Sequence, residues 1–204
     1  MNGRHHIIAN VATVSIVDTG LKIIAKVSDT DIYRSFHNFL FSRSIIGTEP
    51  AVNKIFTNIA SAAVCAALFI VGSLLPDIDQ EKSTLGKIIH IPVQHRTWTH
   101  TAWVVIVLAI LSIFLPCLFW LCFGYTLHIF YDSLSKGGIC WFYPISQYRT
   151  WASGAQVKKN HKIYLYRTGE TSELITTMLV TLVGTSMLIY NIYLTVSSFD
   201  LPSP

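Results

Sequence analysis

The sequence predicts an all-α, integral membrane helical bundle of about five apolar helices. Three observations carry that prediction. Of 204 residues, 51% are hydrophobic and only 13% charged, about half the charged share of a soluble domain. Mean hydropathy is +0.48. Three long windows, 55–76, 101–131 and 174–199, contain no Asp, Glu, Lys or Arg. A bilayer core of about 30 Å takes roughly 20 apolar helical residues, and each window is that long. The same figures exclude a disordered chain, a coiled coil and a nucleic-acid module with a broad basic face. The net charge of +4 asks for no anionic partner beyond a lipid headgroup. Residues 1–204 read as a single membrane-embedded domain.

The first element is Ile7 to Val27, apolar but carrying Asp18, Lys22 and Lys26. It either spans or lies along the interface as an amphipathic helix, with spanning favoured. The window 55–76 follows. Its run Ala60 to Ala67 is small enough for a neighbouring helix to approach closely. The window 101–131 is too long for a simple span, and Pro116 lies near its middle. Proline breaks or kinks a helix, so either one helix of about 23 residues crosses, or 101–115 and 117–132 form a hairpin. Each arm of that hairpin would be roughly 22 Å long. The last element is 174–199. Between the final two lies Trp141 to Trp151, with five aromatics (Trp141, Phe142, Tyr143, Tyr148, Trp151), a density suited to the headgroup level. Cys65, Cys117, Cys122 and Cys140 form no C-x-x-C pair and read as small buried hydrophobes.

The chemistry gathers at the window edges. Leu74-Leu75-Pro76-Asp77-Ile78-Asp79 ends one window. Its two carboxylates, just after proline, read as extended rather than helical and can offer oxygens to one or two cations. Acids are disfavoured at a helix C-terminus, which weakens the reading as an ordinary solvated loop. His95-Arg96-Thr97-Trp98-Thr99-His100 precedes the next window. At i, i+5 the imidazoles do not share a helical face. A loop His95 and a first-turn His100, with Thr97 or Thr99 as N-cap, can still meet at one point. His128 and Asp132 stand i, i+4 on one face of an uncharged helix, either as ligands or as a structural hydrogen bond. His6 and Glu173 start the first and last helices. His5, His37, His90 and His161 read as exposed.

If these groups converge on one membrane face, helix ends must alternate accordingly. The hairpin broken at Pro116 satisfies that requirement, and the expectation is five helices with a metal site at one face. Imidazole with carboxylate suits zinc, manganese or iron. The ligand candidates exceed what one tetrahedral ion uses, so two or more ions are expected, most of all zinc.

LLPDID, HRTWTH and GYTLHIFYD with the following SKGGICWFYP resemble the YdjM-type family of inner-membrane-associated, metal-dependent hydrolases. That family is itself distantly similar to zinc-dependent phospholipases C and single-strand nucleases. The resemblance runs from His6 to Glu173 and rests on four blocks in order. It implies ligand roles for His6, Asp77, Asp79, His95, His100, His128, Asp132 and Glu173, the last by its place four residues after Gly169. Gln80 stands where the family often carries His and is not counted. Ser135, Lys136 and Gln94 also depart from the pattern.

The function expected is hydrolysis of a phosphoester of a lipid or lipid-linked substrate by metal-activated water. Asp77 or Asp79 would bridge ions or take the water's proton. Arg96 would neutralise a phosphate, or else hold a headgroup or Asp77 and Asp79. Membrane lipids are the expected partners, and nucleic acid is not. The alternatives are a metal-binding or transport protein and a non-enzymatic scaffold with a structural metal site. Ligands at helix ends, rather than at the midplane, argue against transport. Residues 77–100 and 133–172 are expected on one side, with 28–54 and the C-terminus opposite. Basic residues concentrate on the former (Arg4, Lys82, Lys87, Arg96, Lys136, Arg149, Lys158, Lys159, Lys162, Arg167) against Lys22, Lys26, Arg34, Arg43 and Lys54. The positive-inside rule then points the site to the cytoplasm of a bacterial inner membrane.

Overall fold

The computed structural model describes residues 3–28, 51–150, 156 and 164–197. Five helices make up the described chain: α1 (Gly3–Ser28), α2 (Ala51–Leu74), α3 (Ala102–Phe114), α4 (Leu118–Leu134) and α5 (Thr171–Ser197). Segments Gly3–Val27, Ala62–Asp79 and Thr171–Tyr193 are long and apolar enough to cross a membrane, and α3 is a shorter apolar helix. The chain does turn at Pro116, giving the α3–α4 hairpin. The proline lacks the N–H that would extend α3, and Leu118 N instead bonds Leu115 O at 2.9 Å to restart the helix.

The helices meet in a fixed sense. α1 and α5 run side by side in the same direction: Thr19 Oγ1 donates to Met187 O at 3.1 Å near one end, and His5 meets Glu173 at the other. α1 is therefore a member of the bundle, not a helix lying apart from it. α2 and α4 cross more closely. A Cβ on Gly72 would come within 2.1 Å of Leu121 O, and one on Gly124 within 2.3 Å of Phe69 O. Glycine at both positions is what lets the two backbones touch. Asn10 of α1 spans the crossing, donating to Ser73 Oγ at 2.9 Å and Gly124 O at 3.2 Å. The outward faces keep large apolar side chains exposed, among them Ile106, Ile110 and Phe114 of α3 and Met178, Leu182 and Ile189 of α5. Such faces are at home in lipid. Thr176, Thr177, Thr181 and Thr185 of α5 bond back into their own helix, as Thr177 does to Glu173 O at 2.9 Å, so their hydroxyls need no outside partner.

The N-termini of α1, α3 and α5 and the C-termini of α2 and α4 share one end. There the connecting segments are tied down by Lys136 N to Tyr166 O at 3.0 Å and by paired bonds between Ile139 and Thr150. Aromatics flank this end, with Trp98 against Tyr143 at 5.1 Å and Trp103 against Phe142 at 5.9 Å between centroids. Trp98, Phe142 and Tyr148 are all exposed, as a headgroup-level belt requires. Trp151, His37, His161, Lys158, Lys159, Lys162 and most of 28–54 lie outside the described residues.

Two local expectations are corrected. Asp77 and Asp79 are not extended: they lie in a 3₁₀ turn, Leu75–Asp79, that continues α2, with Pro76 in its first turn. Proline's restriction falls on the residue before it, while its own fixed φ suits the first turn of a helix. Thr97 stands at the N-cap position of a 3₁₀ turn but makes no side-chain cap bond, and Thr99 caps no helix. His100 ends a 3₁₀ turn, Trp98–His100, and the N-cap of α3 is Thr101, without a side-chain bond.

Candidate metal centre

Four imidazoles and three carboxylates converge where the helix ends meet. The close α2–α4 crossing sets their frame, because Ser73 and His128 lie just beyond it. His128 Nδ1 is 2.6 Å from Ser73 O. A carbonyl can only accept, so Nδ1 carries the hydrogen and Nε2 the lone pair. A parallel argument fixes His100. Thr99 Oγ1 gives its proton to Asp79 Oδ2 at 2.7 Å and so accepts from His100 Nδ1 at 2.9 Å. His100 Nε2 is thus the lone-pair nitrogen. Burial holds the His100 imidazole below its ordinary value, outweighing the pull of Asp132, and keeps it neutral. His95 Nδ1 likewise donates to Asp79 Oδ1 at 2.9 Å.

These lone pairs point at carboxylate oxygens. His100 Nε2 lies 3.4 Å from Asp132 Oδ2 and 3.8 Å from Asp77 Oδ1. His128 Nε2 is 3.5 Å from Asp77 Oδ1, and His6 Nε2 is 3.3 Å from Asp132 Oδ1. His6 stacks on His128 with ring centroids 3.7 Å apart. None of these three Nε2 atoms makes a hydrogen bond, nor does His6 Nδ1, and all are buried. Buried nitrogens left without partners cost about 1–3 kcal/mol each, so something else must satisfy them. A shared cation would: ligand atoms about 2.1 Å from one ion stand about 3.4 Å apart in a tetrahedral shell.

The candidate ligand atoms fall into two groups, each within 4.8 Å: Asp77, His95, His100 and Asp132, and His6, Asp77 and His128. Asp77 belongs to both. The residues therefore fit two neighbouring ions sharing one carboxylate. Zinc-type N/O chemistry suits them, and the buried Cys122 and Cys140 belong to neither group.

Asp79 and Glu173 stand differently from the sequence expectation, each in neither ligand group. Both oxygens of Asp79 are taken by His95 and Thr99, the placement of an outer partner that would orient a ligating histidine. Glu173 is buried, with Oε1 2.6 Å from His5 Nδ1 and Oε2 accepting from Gly169 N at 2.6 Å. His5, expected at the surface, is thereby drawn inward. His90 lies near the exposed Glu81, at 3.9 Å. Arg96 pairs with neither Asp77 nor Asp79. It adopts φ 64°, is buried, and puts Nη2 3.1 Å from Asp132 Oδ1 and Nη1 2.8 Å from Ser135 Oγ. A Cβ at Gly137 would come within 2.2 Å of Nη1, so the glycine makes room for the guanidinium. Sequence reasoning missed Ser73, Ser135 and Thr99 in these roles. Small hydroxyls beside a histidine or arginine carry no periodic signal. Gln80, not counted as a ligand, sets Nε2 2.5 Å from His95 Nε2.

A family model described as YdjM inner membrane protein matches residues 44–198, more than half of the chain. No curated protein and no solved structure matches.

Proposed function

The chain belongs to the YdjM inner membrane protein family, and from that premise we propose that it is a membrane-bound, metal-dependent hydrolase. Its substrate on this reading is a phosphoester of a lipid or lipid-linked molecule. The observation that carries the reading is the set of buried, unpartnered imidazole nitrogens facing Asp77 and Asp132. Divalent ions held there, zinc first and manganese or iron as alternatives, supply Lewis acidity and make water acidic enough to react near neutral pH.

The residues do the rest. Asp77, common to both ligand groups, would be shared by the two cations. His6 and His128 complete one group; His95, His100 and Asp132 complete the other. Asp79 Oδ1 holds the Nδ1 proton of His95 and keeps its ring oriented. Arg96 offsets the charge of Asp132 and fixes its rotamer. Burial of His6, His100 and His128 keeps bulk water from the inner side, while His95, with its side chain 32% exposed, forms the open edge. Water adds to phosphorus, the ester P–O bond breaks, and the alcohol leaves with a proton. The excess of basic residues at this end (Arg4, Lys82, Lys87, Arg96, Lys136, Arg149 and Arg167 among those described) supports a site facing the cytoplasm.

The test is metal analysis of protein purified in detergent without chelator, followed by a panel of phosphomonoesters and phospholipids. Two ions per chain and chelator-sensitive turnover are expected. Protein without stoichiometric metal, or metal-loaded protein inert on the whole panel, ends the proposal.

A further inference from the structure

Beside the ligand cluster lies an open cavity of about 660 Å³, with Gln80, His95, Arg96, Lys136, Arg149 and Arg167 on its walls. We propose that this cavity takes a second phosphate of the substrate, making the substrate class a diphosphate, with Lys136 and Arg149 as its binding residues. This rests on the hydrolase reading above, which places the scissile phosphoryl group at the ligand cluster.

The charge around the cavity decides the class. Four of the lining side chains are cationic, and the acid on the wall, Glu170, is held by Arg167 at 3.1 Å. Arg96 is committed to Asp132. Lys136 and Arg149 have no carboxylate partner among the described residues; Lys136 Nζ sits over the Tyr164 ring at 5.8 Å. Two positive charges thus face the cavity without a counter-charge. A zwitterionic headgroup would set its ammonium against them, whereas a phosphate dianion meets charge-assisted donors.

Adjacency narrows the class further. His95 belongs both to a ligand group and to the cavity wall. Arg96 lines the cavity while its guanidinium is 3.1 Å from ligand candidate Asp132. His95 and Arg96 thus border both the ligand cluster and the cavity, an adjacency suited to phosphates joined through a bridging oxygen rather than to a remote anionic group. The diphosphate can be soluble or carried on a lipid, and both present the same chemistry here.

The experiment uses the full chain in detergent micelles. Calorimetric titration with inorganic pyrophosphate, orthophosphate and phosphocholine should give affinities in that descending order. Lys136→Gln and Arg149→Gln should each weaken pyrophosphate binding about tenfold, with bound metal per chain unchanged, and Lys136→Arg should retain most of the affinity. An alkyl diphosphate embedded in the micelle binding tighter than pyrophosphate assigns a lipid source; equal affinity assigns a soluble one. Pyrophosphate affinity indifferent to both glutamine variants, or no greater than that of phosphocholine, overturns the proposal. Protein that turns over simple phosphomonoesters yet shows that indifference sinks the cavity assignment alone. Metal-free protein that still binds pyrophosphate through Lys136 and Arg149 sinks the hydrolase reading alone.

Discussion

Two polar clusters sit among the apolar helices, and they are built on opposite principles. Near the far end of α1 and α5, Asn191 Nδ2 donates to Asp18 Oδ2 at 2.5 Å, Lys22 Nζ donates to Asn191 Oδ1, and Lys22 lies 3.5 Å from Asp18. Donors there meet acceptors, and the network is closed in the sense that each donor named has its acceptor. At the other end His100 and His128 turn lone pairs toward carboxylates, acceptor against acceptor, and neither ring nitrogen of the buried His6 has a hydrogen-bond partner. A closed network in an apolar setting holds helices together. An open one of this kind is suited to a cation. The lesson is that buried polarity marks a site by what it leaves unmatched, not by how much of it there is.

The largest effect should come from the open cluster. Asp77→Asn or His128→Ala should empty the site of metal and reduce turnover by more than the 10–100-fold typical of an outer partner; mass spectrometry of purified variants measures the first and steady-state rates the second. Metal retained at parental level in both would remove the contrast between the clusters. Next, Asp79→Asn should lower metal affinity by about 10–100-fold without abolishing it, read by competition with a chromophoric chelator. Loss as complete as that of Asp77→Asn would make Asp79 a direct ligand.

Smaller effects belong to the closed cluster. Asn191→Ala should destabilise the bundle by about 0.6–2 kcal/mol and leave metal content untouched. Unfolding in mixed micelles gives the first value, and a fall in bound metal would show that the two ends are coupled. The smallest effect concerns acid. His100 is held below its ordinary value by burial, so below about pH 6.5 the unfolded chain takes up a proton that the folded chain refuses. The metal-free protein should therefore keep its full stability above that pH and lose some as pH falls toward the folded value. A melting temperature that rises on acidification from about pH 8 to about pH 5.5 would contradict this sign.

Much of the architecture was legible because its signals are local. Charge-free windows mark the helices, and Pro116 marks the hairpin turn. Placing every ligand candidate at one face required that turn, and the structure has it. His6, Asp77, His95, His100, His128 and Asp132 do come together. The rest depended on contacts distant in sequence. That Asp79 faces His95 and Thr99 rather than the cluster interior follows from two 3₁₀ turns packing together. That Arg96 pairs with Asp132 requires a positive φ and the missing side chain of Gly137. His5 and Glu173 are 168 residues apart, a distance over which no periodicity speaks.

The glycine crossing of α2 and α4 acts as a pivot close to the tips of its own levers. Asp77 is five residues beyond Gly72 and His128 four beyond Gly124, arms of roughly 6–8 Å at helical rise. A rocking of about 5° there moves a tip by only about 0.6 Å, near the tolerance of a working constellation. The opposite end of α2, at Ala51, lies about 31 Å from Gly72 at the same rise and swings about four times farther for the same angle. The bundle can therefore breathe with the bilayer at one face while its span of imidazole to carboxylate stays gauged at the other.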